Sequence, residues 1–132
     1  MKSIRGEAAH GPAAGIGPVL DSIARGDAAI CRDLVDRLLA AMAEDLAGLA
    51  RAVGEEDWSA ASSHAHRIKG SGGLTQYPPL VASAEDLERA LSCARPATIR
   101  RRMPRFLGAA EDLTAELRRI AAHLDEGQAE ER

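Results

Sequence analysis

The sequence predicts an all-α protein, an antiparallel four-helix bundle with a short additional N-terminal helix, in a single domain. Three observations predict it. Apolar residues recur at steps of three and four along four separate stretches, which is the spacing of one helix face, and no stretch alternates as a half-buried strand would. The composition is 45% hydrophobic but only 2% aromatic, and Trp58, Tyr77 and Phe106 are the whole aromatic supply. The core is therefore Leu, Ala, Ile, Val and Met, which suits closely packed helices better than a sheet. The stretches are also joined by only a few residues each, and short connections between helices make antiparallel neighbours. A chain of 132 residues supports one compact core and not two.

The elements follow in order. Residues 1–15 are rich in Gly, Ala and Pro, have little to bury, and read as a flexible leader. Ile16, Val19, Leu20 and Ile23 make two helical turns before Gly26 stops them. Asp27 is placed as the N-cap of the next helix, whose stripe runs Ile30, Leu34, Leu38, Met42, Leu46, Leu49, Val53. Gly54 marks its end, Glu55 to Asp57 form the turn, and Asp57 caps a third helix from Trp58 with the stripe Trp58, Ala61, Ala65, Ile68, Gly72. Pro78 and Pro79 fall in the first turn of a fourth helix, where proline is tolerated. Leu80, Ala84, Leu87 and Leu91 make its face before Arg95 and Pro96 break it. The last stripe is Ile99, Met103, Phe106, Ala110, Leu113, Leu117, Ile120, Leu124. Pro104 interrupts it, so this helix either starts near Met103 or kinks there. The bundle is expected over residues 16–125, with a flexible polar tail over 126–132.

Bulk properties exclude several function classes. The net charge of −3 and pI near 5.8 weigh against a nucleic-acid surface, which needs a concentrated basic face. Arg100, Arg101 and Arg102 form one short basic run, read as exposed residues near a helix start. Cys31 and Cys93 have no CxxC spacing and read as buried small hydrophobes in a reducing compartment. No apolar run approaches the ~20 residues of a membrane span, and no compact apolar signal segment opens the chain. These features predict a cytoplasmic protein with no membrane partner. The stripes leave no long spare apolar face, which predicts a monomer.

The informative segment is Ser62-Ser63-His64-Ala65-His66-Arg67-Ile68-Lys69-Gly70-Ser71-Gly72-Gly73. On a helix at about 100° per residue, the core positions lie roughly 80° to 160° to one side of His66, so His66 is a rim residue facing water. Within about 60° of it fall Ser59, Ser62, Ser63, Lys69, Gly70 and Gly73. Small residues thus clear the surface around one imidazole and leave one lysine beside it. Glycine inside a helix costs about 1 kcal/mol against alanine, and close approach by another protein's backbone is a physical reason to accept that cost. A neutral imidazole is a competent nucleophile near neutral pH. Phosphoryl transfer needs in-line approach and charge neutralisation, and Lys69 at i+3 can hold phosphoryl oxygens by charge-assisted hydrogen bonds.

The same residues also admit plainer readings. A lone surface histidine and a solvated lysine are commonplace, and it is their combination with the glycines that sets this segment apart. His64 sits about 160° around the helix, at the far edge of the core or in water. A zinc pair from His64 and His66 is disfavoured because residues two apart do not face each other; no metal site is expected. Arg67, about 100° from His66, either guides an acidic partner surface or is simply exposed. An enzyme with His66 as general base would need a pocket and a second catalytic group, and no carboxylate lies near His66 on its own helix face.

Ala65-His66-Arg67-Ile68-Lys69-Gly70-Ser71 resembles the signature of histidine-containing phosphotransfer (HPt) domains, in which lysine and glycine follow the phosphorylated histidine at the third and fourth places. Gly73 matches a further small position, and the leucine-rich second helix, Trp58, Leu80 and Leu87-Glu88 sit where that family has them. The resemblance spans residues 17–122. One departure is Gln76-Tyr77, where the family often has Gly-Ala; Tyr77 is expected at the helix end or the docking rim. The resemblance implies a carrier that accepts a phosphoryl group on His66 from a receiver-domain aspartate and passes it to another receiver. It implies Lys69 as the phosphate-stabilising residue and a docking surface of Ser59, Ser62, Ser63, Arg67, Gly70, Gly73 and Tyr77. The partners implied are receivers of response regulators or hybrid histidine kinases. The chain would bind no cofactor, with Mg2+ held by the receiver, and no GxxxxGK[ST] loop is present. The competing expectation is a helical interaction module that binds receivers or kinases without being phosphorylated.

Overall fold

The structure is a computed structural model that describes residues 15–131, with side chains through residue 128. The expected leader lies outside the described residues except at residue 15. Five helices are described: α1 (15–23), α2 (Ala28–Gly54), α3 (Trp58–Leu74), α4 (Pro78–Ser92) and α5 (Pro96–Glu131). Helices α2 to α5 each pack on the next, and α5 closes on α2, an antiparallel four-helix bundle with α1 as the added N-terminal element. Among the described residues no helix is long and apolar enough to cross a membrane.

The helix ends follow from local chemistry. Asp27 accepts from the Ile30 amide at 3.0 Å and Asp57 from the Ala60 amide at 3.1 Å, so each caps the first turn that follows. At the C-terminal ends of α2 and α3, a single residue turns left-handed and the chain reverses. The Asp57 amide returns to the Ala52 carbonyl at 2.8 Å across Glu56 (φ 57°), and the Tyr77 amide to the Gly72 carbonyl at 2.8 Å across Gln76 (φ 56°). This is the Schellman pattern, usually built on glycine. Gln76, at the place where the resembling family often has Gly, takes this left-handed position.

The core differs in register from the expected stripes. In α2 the buried line is Cys31, Val35, Leu38, Met42, Asp45, Gly48, Leu49, Ala52, so Leu34, Leu46 and Val53 flank it and Ile30 is 55% exposed. Spacing alone fixed the period of this face but not its centre. Ile23 is also exposed, whereas Ile16 and Leu20 of α1 are buried. Helix α5 is continuous from Pro96 through Pro104 to Glu131; it neither starts at Met103 nor ends at 125. Pro104 sits on the exposed side, where the hydrogen bond it removes from the Arg100 carbonyl can be replaced by water. Arg32 donates to Asp125 at 3.0 Å, tying α5 to the start of α2 just after Leu124, the last apolar position of the stripe. Cys31 is buried but Cys93, at the end of α4, is exposed, which corrects the expectation that both are core residues.

Candidate functional site

His66 lies on α3 with 69% of its side chain exposed. Helix α4 crosses beside it and supplies Glu88, whose carboxylate bridges the site. Glu88 Oε2 is 2.9 Å from His66 Nδ1, and Glu88 Oε1 is 2.8 Å from Lys69 Nζ. Close approach of α3 and α4 makes the bridge possible. Gly72 is the contact residue, since a Cβ there would meet the Leu80 side chain at 3.2–3.3 Å. Lys69 lies a turn above His66 on the same face, so one carboxylate reaches both.

The electrostatics assign the tautomer. Glu88 is half-buried, and burial raises its pKa. Hydrogen bonds and charge from Lys69 and His66 outweigh that and hold it below the usual 4.5. It is therefore ionised near neutral pH and can only accept hydrogen bonds. Nδ1 of His66 must then carry the hydrogen and donate it, which leaves the lone pair of neutral imidazole on Nε2, the nitrogen without a hydrogen-bond partner among the described residues.

His64 also has a carboxylate at Nδ1, but on the α2 side of α3 and more deeply set. Its Nδ1 lies 2.8 Å from Asp45 Oδ1 and 3.0 Å from an Arg67 guanidinium nitrogen, and Arg67 Nε donates to the same Asp45 oxygen at 2.9 Å. Asp45 is a buried carboxylate of α2. The far edge of the His64 ring lies on the backbone of Gly48, where a Cβ would come within 2.2 Å of Cε1 and 2.4 Å of Nε2. His64 is the less accessible of the two histidines, with 23% of its side chain exposed against 69% for His66.

A shallow depression opens beside His66, lined by Trp58, Ser59, Ser62, Ser63, Arg67 and, from α4, Glu88, Leu91 and Ser92. Four of the expected docking residues, Ser59, Ser62, Ser63 and Arg67, are thus brought together. Gly70 and Gly73 are exposed further along α3, and a Cβ at either would meet nothing within 4 Å. Tyr77 is not at a rim. It is 5% exposed, packed in the core at the α3–α4 turn, because the left-handed Gln76 turns its ring inward; burial, with Asp112 and Glu116 nearby, pushes its pKa up. Glu88 was given no role from sequence, because it lies 22 residues from His66 on another helix. The pairing of Leu87 with Glu88 at the resembling position was the only signal that could have pointed to it.

The arrangement can hold a neutral imidazole in one tautomer, present its nucleophilic nitrogen to solvent, and keep a cation beside it. Comparison with known proteins agrees in kind. No curated protein and no solved structure matches the chain. A family model described as "Hpt domain" matches residues 33–130, a stretch that contains α3, α4 and every residue of the site above. The chain belongs to the Hpt domain family, the histidine-phosphotransfer modules of phosphorelays.

Proposed function

We propose that this chain accepts a phosphoryl group at Nε2 of His66 from the phosphoaspartate of one receiver domain and delivers it to the aspartate of another. The observation that carries this reading is the Nδ1 hydrogen bond to Glu88 at 2.9 Å on a ring that is otherwise exposed. Nε2 attacks phosphorus in line as the acyl-phosphate P–O bond breaks and the donor aspartate leaves as carboxylate. The hydrogen stays on Nδ1. The phosphoimidazolium that forms carries a positive charge next to the Glu88 carboxylate, which stabilises it. Lys69, held by Glu88 beside the ring, turns its remaining N–H donors to the phosphoryl oxygens. The reverse sequence discharges the group. Mg2+ belongs to the receiver in this scheme; the chain itself acts as a monomeric carrier that holds no cofactor and does not turn over without its partners.

The exposed glycines Gly70 and Gly73 and the serine-lined depression leave room for a receiver's active-site loops around His66. The test is phosphate uptake from a phosphorylated receiver domain with Mg2+, comparing wild type, His66→Gln and His64→Gln. Acid-labile, base-stable label on wild type and His64→Gln, absent from His66→Gln, is expected. Receiver binding without label on wild type would point instead to an unphosphorylated interaction module. Label that survives in His66→Gln would move the site elsewhere.

A further inference from the structure

Arginine is distributed unevenly along the chain. Between Glu88 and Glu111 there are six arginines and no acidic residue. That stretch carries +6 in a chain whose net charge is −3, leaving −9 on all the rest. The fold gathers much of it at one corner, formed by the end of α4, the α4–α5 turn and the first turns of α5. Arg89, Arg95, Arg101 and Arg102 line a depression there, and Arg105, four residues on from Arg101, continues the row along α5. A single carboxylate answers them: Asp86 pairs with Arg89 at 3.1 Å and with Arg102 at 2.5 Å. Arg95, Arg101 and Arg105 are exposed and make no ion pair with any described residue, whereas Arg100 turns aside to Glu56 at 3.7 Å.

This corner adjoins the phosphotransfer site. Ser92 and Ala94 line the depression beside His66, while Cys93 and Arg95 line the arginine depression. The α4–α5 turn is therefore a wall shared by the two. Glu88, which touches His66, is one helical turn from Ser92, so the unpaired arginines begin roughly 10–15 Å from the imidazole. A standard interface buries about 800 Å2 on each partner, a footprint wide enough to include both.

We propose that Arg95, Arg101 and Arg105 form the electrostatic recognition surface for the receiver domain that exchanges phosphoryl groups with His66, steering and orienting it through its acidic rim. This rests on the His66 reading. An aspartyl-phosphate pocket that holds Mg2+ needs carboxylates of its own, so the face a receiver presents is negative, and a basic corner beside the nucleophile attracts that face and sets its orientation. A nucleic acid fits less well. The patch covers one corner, and the −9 on the remainder repels an extended phosphate backbone.

The test compares the full chain with its Arg95→Glu/Arg101→Glu variant. Transfer is timed from a phosphorylated receiver domain, chosen from a panel as the one that labels wild type fastest, between about 0.02 and about 0.5 M NaCl. Phosphoramidate, a phosphodonor that needs no docking, labels His66 in parallel. The expected result is second-order transfer slowed about 10-fold or more at low salt, with the difference shrinking to within about twofold at high salt and phosphoramidate labelling unchanged. Equal rates and salt slopes for both proteins would overturn the proposal. So would equal receiver transfer with selective loss of duplex-DNA binding, which would make the corner a nucleic-acid surface. If wild type takes no label from either donor, the His66 reading itself fails, and that outcome is distinct from the others. Should the double variant melt early, Arg101→Ala/Arg105→Ala applies the same test without charge reversal.

Discussion

Replacing Gly70 and Gly73 with alanine should make the protein more stable and worse at its task. Both lie in α3 at ordinary helical φ, and a Cβ at either meets no heavy atom within 4 Å, so the methyl groups cost nothing by clash. The helix-propensity gain is about 1 kcal/mol for Gly70 and about half that for Gly73, which sits in the fraying last turn. The unfolding entropy of a chain this size, near 0.25 kcal/mol/K, converts a gain of about 1.5 kcal/mol into a rise of roughly 6 °C in Tm. The same methyls stand on the surface where a receiver's backbone is to approach His66, and a displacement of even about 1 Å there costs on the order of 10–100-fold in transfer rate. Thermal melting and quenched-flow transfer from a phosphorylated receiver, on the same preparations, read both effects. A lower Tm would show that α3 is not open at these positions. A raised Tm with unchanged transfer would refute the argument that the glycines are there for close approach. Gly72→Ala is the internal contrast: its Cβ meets Leu80 at 3.2–3.3 Å, so the propensity gain is offset by crowding and Tm should rise less or fall.

Three further outcomes are expected. Gln76→Gly should stabilise by about 1 kcal/mol, because φ of 56° is strained for a side-chain-bearing residue and free for glycine; denaturant midpoints with unchanged slope would check it. Glu88 is held below its usual 4.5 by Lys69 and His66 despite burial, so its contribution to stability is present above pH 4.5 and lost as pH falls through the lower folded value. Glu88→Gln should flatten that acid limb relative to wild type in urea titrations across pH 2–6 (about the range of carboxylate titration), and identical acid limbs would contradict the pairing. Gly48→Ala should destabilise by about 1–2 kcal/mol, because a Cβ 2.2 Å from His64 Cε1 forces the ring off Asp45 and the overpacking exceeds the helix-propensity gain; a stabilised variant would show that His64 moves freely.

Much of the molecule was legible in the residue order because the signals are local. Asp27 and Asp57 cap the helices they were expected to cap, and Pro78 and Pro79 open α4, since a cap or a proline acts within one turn of its own backbone. The identity of His66 and Lys69 as neighbours was legible for the same reason, being three residues apart on one helix. Pro104 left a late start and an interrupted helix both open because proline's penalty is local, and the late start is overturned because Phe106, Ala110, Leu113 and Leu117 give the continuous helix tertiary burial to offset that penalty. The α2 stripe was centred on Ile30 and Leu34 rather than Cys31 and Val35 because periodicity fixes which residues share a face, while the position of the neighbouring helices fixes which face is covered.

By itself the sequence determined the helical class, the order of elements, the caps and the histidine–lysine–glycine constellation, all of which depend on separations of a few residues. Only the tertiary structure decided which nitrogen of His66 is free, what holds His64, that Tyr77 is a core residue, and that Arg89, Arg95, Arg101 and Arg102 line a depression beside the site. Each of these depends on a group from another helix: Glu88 of α4 against His66, Asp45 and Gly48 of α2 against His64, the α4–α5 corner against the depression they share. Contacts between helices are set by packing geometry, and no spacing along the chain encodes them directly.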